Sequence, residues 1–476
     1  MKEAGSVKPL APAGGLLLAL GTMISACDRP ARPPETPPNV LLVVLDTLRA
    51  DAVDPAPGSH TPVIAALARE GTLFMQGRST ASWTVPAHAS IFTGLFPSRH
   101  NAHNEGRALS HEAQTLAELL SDTHDTAAFS ENPHITRGKQ FHQGFAVFKN
   151  SWPRHDPGNL RRQATDRMVQ EWLTGRSQER PFFLFLNFMD PHLPYRPPPQ
   201  FEKLLLGEGV SSAESDRLRS FEGADARRVI AGKVQLSEAE LAVLRRLYRA
   251  EVASADARLG KVLETLRSQN LLDETLVVVL GDHGENIGDH GLMEHQFSLH
   301  ETLLRVPILL RLPGSVPAGT RRHDPVQLVD VFPTVLEATD LPRERWPPHE
   351  GESLLGPEID ADRALVAEYR LPLDQERIFA REMADFDFSP LMQRLQSIQV
   401  GTKKLILAGG EPVELHDLAK DPAESENLLE QEPASVRLLL EELRRWQANR
   451  PTPLPTELGR REAETIEALR ELGYVE

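Results

Sequence analysis

Four runs along the chain are dominated by apolar residues: Asn39 to Leu45, Thr126 to Ser130, Phe182 to Phe188 and Thr275 to Leu280. Runs of that length, rich in β-branched and aromatic residues, predict strands buried on both faces. Between them the apolar positions recur at helical spacing, over Thr61 to Glu70, Thr115 to Ser121 and Arg161 to Thr174. A longer helix opens on the capping box Ser237-Glu238-Ala239-Glu240 and runs to about Gln269. Strands alternating with helices predict an α/β fold, a mostly parallel central sheet flanked by helices. After the apolar stretch Val306 to Arg311 and a helix around Val329 to Leu336, the pattern changes from about Ile398. Short strands at Lys403 to Ala408 and Pro412 to Leu415, a loop at Asp417 to Pro422 and a helix at Ser435 to Asn449 predict a small C-terminal α+β subdomain.

The N-terminal pattern differs. Lys2 and Lys8 precede the apolar run Gly14 to Ile24, too short to span a bilayer but of signal-peptide length. It ends in Ile24-Ser25-Ala26-Cys27, small residues before a cysteine, which resembles a bacterial lipoprotein signal. The expected organisation is a lipoprotein signal peptide over 1–27, a proline-rich linker over 28–38, a catalytic domain over 39–395 and the C-terminal subdomain over 396–476. Such a chain sits outside the cytoplasm, anchored to a bacterial membrane through a lipid on Cys27. Cys27 is the single cysteine, so the folded part has neither a disulfide nor a thiolate ligand. The formal charge of −16 argues against nucleic acid as a partner and against an anionic membrane surface.

In open parallel sheets, ligands sit beyond the carboxyl ends of the strands. Three of the apolar runs end there in an acid: Asp46, Asp190 and the Asp282-His283 pair. Asp46, Asp282 and His283 supply two hard oxygens and an imidazole, a set suited to one divalent ion, Zn²⁺ or Mn²⁺ ahead of Ca²⁺. A second ion finds only a fragment of a ligand set, Asp190 with His192. The stretch Trp83-Thr84-Val85-Pro86-Ala87-His88-Ala89-Ser90 predicts a short helix with Pro86 first, Thr84 just ahead of it and Gly94 closing it. A hydroxyl there meets the positive helix end and unpaired N–H groups, a place for an anion. Alone, Thr84 reads as an N-cap. Beside a metal ion that lowers its pKa, the same hydroxyl becomes a nucleophile.

The segments Asp46-Thr47-Leu48-Arg49-Ala50-Asp51, Trp83 to Ser90, Asp190-Pro191-His192-Leu193-Pro194-Tyr195 and Asp282-His283-Gly284-Glu285 with Asp289-His290-Gly291 resemble the sulfatase family of the alkaline phosphatase superfamily. Leu415 to Pro422 resembles that family's C-terminal subdomain. The resemblance covers nearly the whole chain beyond the leader and implies a hydrolase of anionic esters. It also exposes departures. The Cys or Ser that the family oxidises to formylglycine is Thr84 here, and the motif arginine is His88. A secondary alcohol oxidises to a ketone, so no formylglycine is expected. Ser82 lies four residues before Pro86, out of register for that maturation. Calcium-dependent members pair two acids in the first motif and carry Asp-Asn in the later one, where this chain has Asp46-Thr47 and Asp282-His283.

The resemblance then implies Thr84 as a nucleophile and fourth metal contact, attacking an ester to form a phospho-threonine. His192 and His295 occupy motif positions for leaving-group protonation or anion binding, and Asn132 and His88 are candidates to hold the substrate. His134, His290 and Arg49 carry weaker claims. The expected partners are anionic small-molecule, glycan or lipid esters. Phosphate mono- or diesters are favoured. Sulfate-ester hydrolysis, envelope phosphotransfer and a silent binding protein are the alternatives. Specificity is expected from loops at His155 to Gln163 and Pro197 to Gly232.

Overall fold

The structure, a computed structural model, describes residues 36–459 apart from 54–55, 57–58, 104–106, 152–159, 207–211, 357–358, 371–372, 384, 450–451 and 456, together with residue 466. The leader, Cys27, most of the linker and parts of both expected specificity loops lie outside the described residues.

Among the described residues the largest sheet has eight strands. In chain order they are β1 (Asn39–Leu45), β2 (Thr72–Phe74), β3 (Asp125–Ser130), β4 (Val147–Asn150), β5 (Phe182–Phe188), β6 (Thr275–Gly281), β7 (Ile308–Arg311) and β8 (Thr320–Arg322). The spatial order is β8-β2-β7-β6-β1-β5-β3-β4. Strands β6, β1, β5, β3 and β4 pair in parallel, whereas β7 runs antiparallel to β6 and β2. All seven residues of β1 are buried, as its unbroken apolar run predicts. The pleat splits them between two cores. Val40, Leu42 and Val44 join one, with the helices α2 (Thr84–Thr93) and α5 (Val331–Ala338). Leu41, Val43 and Leu45 join the other, with α1 (Pro62–Glu70), α3 (Leu160–Gly175) and α4 (Glu238–Ser268). Helix α4 starts on its capping box, Ser237 and Glu240 each bonding the other's backbone N–H.

A second, antiparallel sheet joins β9 (Leu365–Tyr369), β10 (Leu395–Val400), β11 (Lys403–Ala408) and β12 (Glu411–Asp417) in sequence order. Strand β9 enters it from ahead of residue 396. The helix α6 (Pro433–Ala448) covers one face, with Leu439 and Leu443 against Ile398, Leu405 and Leu415. No helix among the described residues is long and apolar enough to cross a membrane.

One expectation needs correcting. Helix α2 begins at Thr84 rather than Pro86, and the extended residue ahead of it is Trp83 (φ −155°, ψ 166°). None of the first-turn N–H groups has a partner within the helix, so a proline fits its third position as well as its first. Thr84 is therefore not the cap, and its hydroxyl is available for something else. Gly94 closes the helix in the left-handed conformation (φ 67°), as expected.

Candidate functional site

Parallel pairing brings four strand ends level. Leu45 lies opposite both Phe188 and Gly281, and Ser130 opposite Asn187. The residues that follow therefore emerge at one edge of the sheet: Asp46 from β1, Asp282 and His283 from β6, Asn132 from β3, and Asp190 and His192 from β5. Gly284 allows the turn after β6, since a Cβ there would stand 1.9 Å from the Thr302 carbonyl oxygen.

Three side chains converge beside the start of α2. His283 Nε2 lies 3.3 Å from Asp282 Oδ2 and 3.8 Å from Asp46 Oδ1. Thr84 Oγ1 is 3.4 Å from the same nitrogen. His283 Nδ1 stands 3.0 Å from the Gly284 carbonyl oxygen, which fixes the proton there and turns the Nε2 lone pair towards the acids. The Asn132 amide donates to Asp46 Oδ2 at 2.5 Å and to Thr84 Oγ1 at 3.4 Å. Its own oxygen accepts from the His134 backbone N–H at 2.7 Å, which sets the amide's orientation.

Asp46, Asp282 and His283 are completely buried, yet among the described residues Asp46 Oδ1 and Asp282 Oδ2 have no hydrogen-bond donor. Burial pushes the Asp46 carboxyl up to about 7, against the pull of Asn132. Burial and then the neighbouring Asp46 hold Asp282 well above the carboxylate range. Burial, followed by the charge of His295, holds His283 well below the imidazole range. Two inward carboxylate oxygens without donors and an imidazole kept neutral are a poor arrangement by themselves and a good one around a cation. The donor set of Asp46, Asp282 and His283 fits one divalent ion, with Thr84 Oγ1 beside it.

His295 stacks at a tilt over His283, ring centroids 4.6 Å apart, and His192 stands edge-on to His295 at 5.1 Å. His295 Nδ1 bonds Glu285 Oε1 at 3.0 Å. Burial alone would lower the His295 pKa, but the Glu285 carboxylate outweighs it and holds the ring above its ordinary value. Burial and then the charge of His295 push His192 down to about 4. His192 is therefore the less readily protonated of the two.

His88 sits elsewhere than a substrate-facing residue would. Four residues beyond Thr84, it lies one turn deeper on the same helix face, with Nδ1 3.0 Å from the Thr84 carbonyl oxygen and 3.4 Å from Asp282 Oδ2. Its ring packs edge-on against Phe141 and Phe185, fully buried. Asp190 does not pair with His192 as a ligand fragment. It accepts from Arg162 at 2.6 Å and from Arg258 at 3.3 Å, and these arginines, opposing its burial, hold it down at about 2. Arg258 also pairs with Glu131, and Arg162 with Glu251, in a buried ionic network beneath the site. Arg49 stays outside, bonding Asp51, Asp289 and the Glu285 carbonyl oxygen. His134 packs edge-on against Trp83. His290 is exposed and stacks on His300.

Glu285, Glu131 and Arg258 are the site's unforeseen members. Glu285 lies within the Asp282-His283-Gly284-Glu285 segment, so a second carboxylate three residues after a ligand was its signal. Nothing in the sequence singles out Arg258, which comes from the middle of α4.

Comparison with known proteins agrees with this fold. The Sulfatase family model matches residues 38–341, and that of the N-sulphoglucosamine sulphohydrolase C-terminal region matches residues 288–448. A choline-sulfatase from Rhizobium meliloti (strain 1021) is 24% identical over 445 residues, covering 83% of this chain and 82% of its own. Among solved structures, a phosphonate monoester hydrolase of Agrobacterium radiobacter superposes with a TM-score of 0.69 at 23% identity, covering 86% of this chain and 95% of its own. A phosphonate monoester hydrolase from Silicibacter pomeroyi gives 0.68 at 18% identity, covering 89% and 100%.

Proposed function

The chain belongs to the sulfatase family and is a hydrolase acting on ester bonds, and we propose that its nucleophile is the Thr84 hydroxyl and that phosphate mono- or diesters are its substrates. The observation that carries this reading is the residue itself. Position 84 holds a secondary alcohol whose oxygen lies 3.4 Å from both the Asn132 amide and the His283 ring, beside the ring that faces the donor-less oxygens of Asp46 and Asp282. It offers no route to an aldehyde, so covalent chemistry at this position runs through oxygen.

Asp46, Asp282, His283 and Thr84 would hold the divalent ion, and the imidazole favours Zn²⁺ or Mn²⁺ over Ca²⁺. A bound ion supplies Lewis acidity, which lowers the hydroxyl's pKa and attracts the ester's anionic oxygen. Asn132 holds Oγ1 in place through its amide. Thr84, its proton lost to solvent, attacks phosphorus as an alkoxide. The new Oγ1–P bond forms as the bond to the leaving oxygen breaks, and His295, whose hold on a proton Glu285 strengthens, gives that oxygen its proton. Water then attacks the phospho-threonine, and the now neutral His295 takes its proton, restoring free Thr84 and releasing phosphate. His192, neutral and beside His295, binds the ester. The lipid anchor through Cys27 and a place outside the cytoplasm complete the reading, supported by the lipoprotein-like leader.

The names of relatives such as the choline-sulfatase favour a second reading, attack of Thr84 on a sulfate ester. One set of assays separates the two. The protein loaded with Zn²⁺, Mn²⁺ or Ca²⁺ is assayed on nitrophenyl phosphate, bis-nitrophenyl phosphate, a phosphonate ester and nitrophenyl sulfate. Turnover of the phosphorus esters, with phosphate trapped on Thr84 by mass spectrometry, is the expected result. Turnover of sulfate alone overturns the phosphate reading.

A further inference from the structure

A second cluster of imidazoles and a carboxylate lies away from the catalytic edge, at the seam with the antiparallel sheet. His300 follows the loop that carries His295, while Glu414 and His416 are alternate residues of β12 and so share a face. Glu414 Oε2 stands 2.8 Å from His300 Nε2 and 2.9 Å from His416 Nε2. One donor atom from each residue falls within 4.8 Å of the others. The two histidines are buried, and the Glu414 side chain is 33% exposed, which leaves a route from solvent. His416 Nδ1 lies 2.9 Å from the Glu426 carbonyl oxygen. That bond places a proton on Nδ1 and, in the neutral ring, leaves the Nε2 lone pair facing the cluster, the usual support for a metal-bound histidine. His300 Nδ1 is buried without a hydrogen-bond partner.

The neighbouring carboxylates are already matched. Glu424 and Glu301 take the Lys404 ammonium at 2.8 and 3.2 Å, and Glu301 also takes Arg78 at 2.7 Å. Among the described residues, Glu414 is bonded by the two imidazoles. Its Oε2 accepts from two rings at once, an arrangement that a cation held among the three donors would replace.

We propose that His300, Glu414 and His416 form a second divalent-metal site, of Zn²⁺ type, that pins the loop bearing His295 to the antiparallel sheet. Two imidazole nitrogens and a carboxylate oxygen are a common Zn²⁺ set, with water in the fourth position. Tetrahedral ligands about 2.0–2.1 Å from the ion sit about 3.3 Å from one another, so the two short separations open by about half an ångström. Rotation of the partly exposed Glu414 accommodates that.

The test uses the full chain, stripped with a chelator, reloaded with Zn²⁺ or Co²⁺ and desalted. Bound metal is counted by mass spectrometry in the wild type, Asp282→Asn, His416→Gln and His300→Gln, with circular dichroism reporting the fold of each. The wild type is expected to hold about two ions, and each variant about one. In Asp282→Asn, Co²⁺ is expected to develop the visible bands of a four-coordinate ion, a readout that does not depend on folding of the histidine variants. Loss of metal in Asp282→Asn alone, with both histidine variants binding as the wild type does, overturns the proposal, as does an absent Co²⁺ spectrum in Asp282→Asn. If the wild type holds one ion, kept by Asp282→Asn and lost by His416→Gln, this site stands and the reading of the catalytic site fails.

Discussion

At the edge of the parallel sheet, Asp46 and Asp282 turn donor-less oxygens towards one another in complete burial. At the seam with the antiparallel sheet, Glu414 has an imidazole on either side and a path to water. Both clusters offer imidazole and carboxylate donors, yet without metal they stand in opposite energetic positions. The first carries repulsion and desolvation that metal binding removes and that, without metal, only protonation of the acids relieves. The second can satisfy itself with protons, so metal binding there competes with an ion pair already made. An acid is informative as a ligand in proportion to how poorly the protein alone provides for it.

The sharpest way to break this contrast is at the nucleophile. Thr84→Ala is expected to lower kcat by at least about 10³-fold while leaving Zn²⁺ stoichiometry and Tm near those of the wild type. Steady-state kinetics beside calorimetry measures both, and a fall in Tm with unchanged kcat would return Thr84 to a structural role. Next is Asp282→Asn, which removes one of two facing acids. In metal-free protein it is expected to raise stability by about 1–3 kcal/mol in chemical denaturation. The stabilisation that Zn²⁺ gives should shrink at the same time. A metal-free variant less stable than the wild type would erase the contrast.

Glu285→Gln should lower kcat by about 10–100-fold. Because Glu285 holds the His295 pKa up, the alkaline limb of the pH–rate profile should also move to lower pH in this variant. The smallest effect concerns pH and stability. In chelator-stripped protein the Asp46 pKa is raised to about 7, so its folded state binds a proton that the unfolded state has lost. Stability is then greatest below about pH 4 and is lost as pH rises through about 7. Saturating Zn²⁺ should flatten that slope in denaturation series across the range.

Strands β1, β5 and β6 were legible because double-sided burial leaves a mainly apolar run, and the acids that follow these runs emerge at one edge of the sheet. Helix α4 was legible from its capping box and periodicity. The start of α2 was misread because proline is equally at home at several first-turn positions, and only the tertiary neighbours decide where Thr84 points. His88 was misplaced for a related reason: helical spacing gives its face, but not that the face is closed by Phe141 and Phe185. Asp190 looked like a ligand because the charge that claims it arrives from Arg162 and Arg258, on other elements. The set His300, Glu414 and His416 had no local signal at all. Alternation along β12 puts Glu414 and His416 on one face, but His300 comes from more than a hundred residues earlier in the chain, and only the fold brings it to them.

All ten residues of α2 are buried. A helix enclosed on every side cannot travel to meet what it acts on, so the reacting oxygen is a stationary landmark and the ester must be delivered to it. Changes of clientele over evolution would then be written in the rim loops, where insertions are tolerated, while the segment from Thr84 to Thr93 admits almost no editing. Laboratory evolution of this protein should show the same division: gains on new esters mapping to the rim, and a silent stretch at the helix.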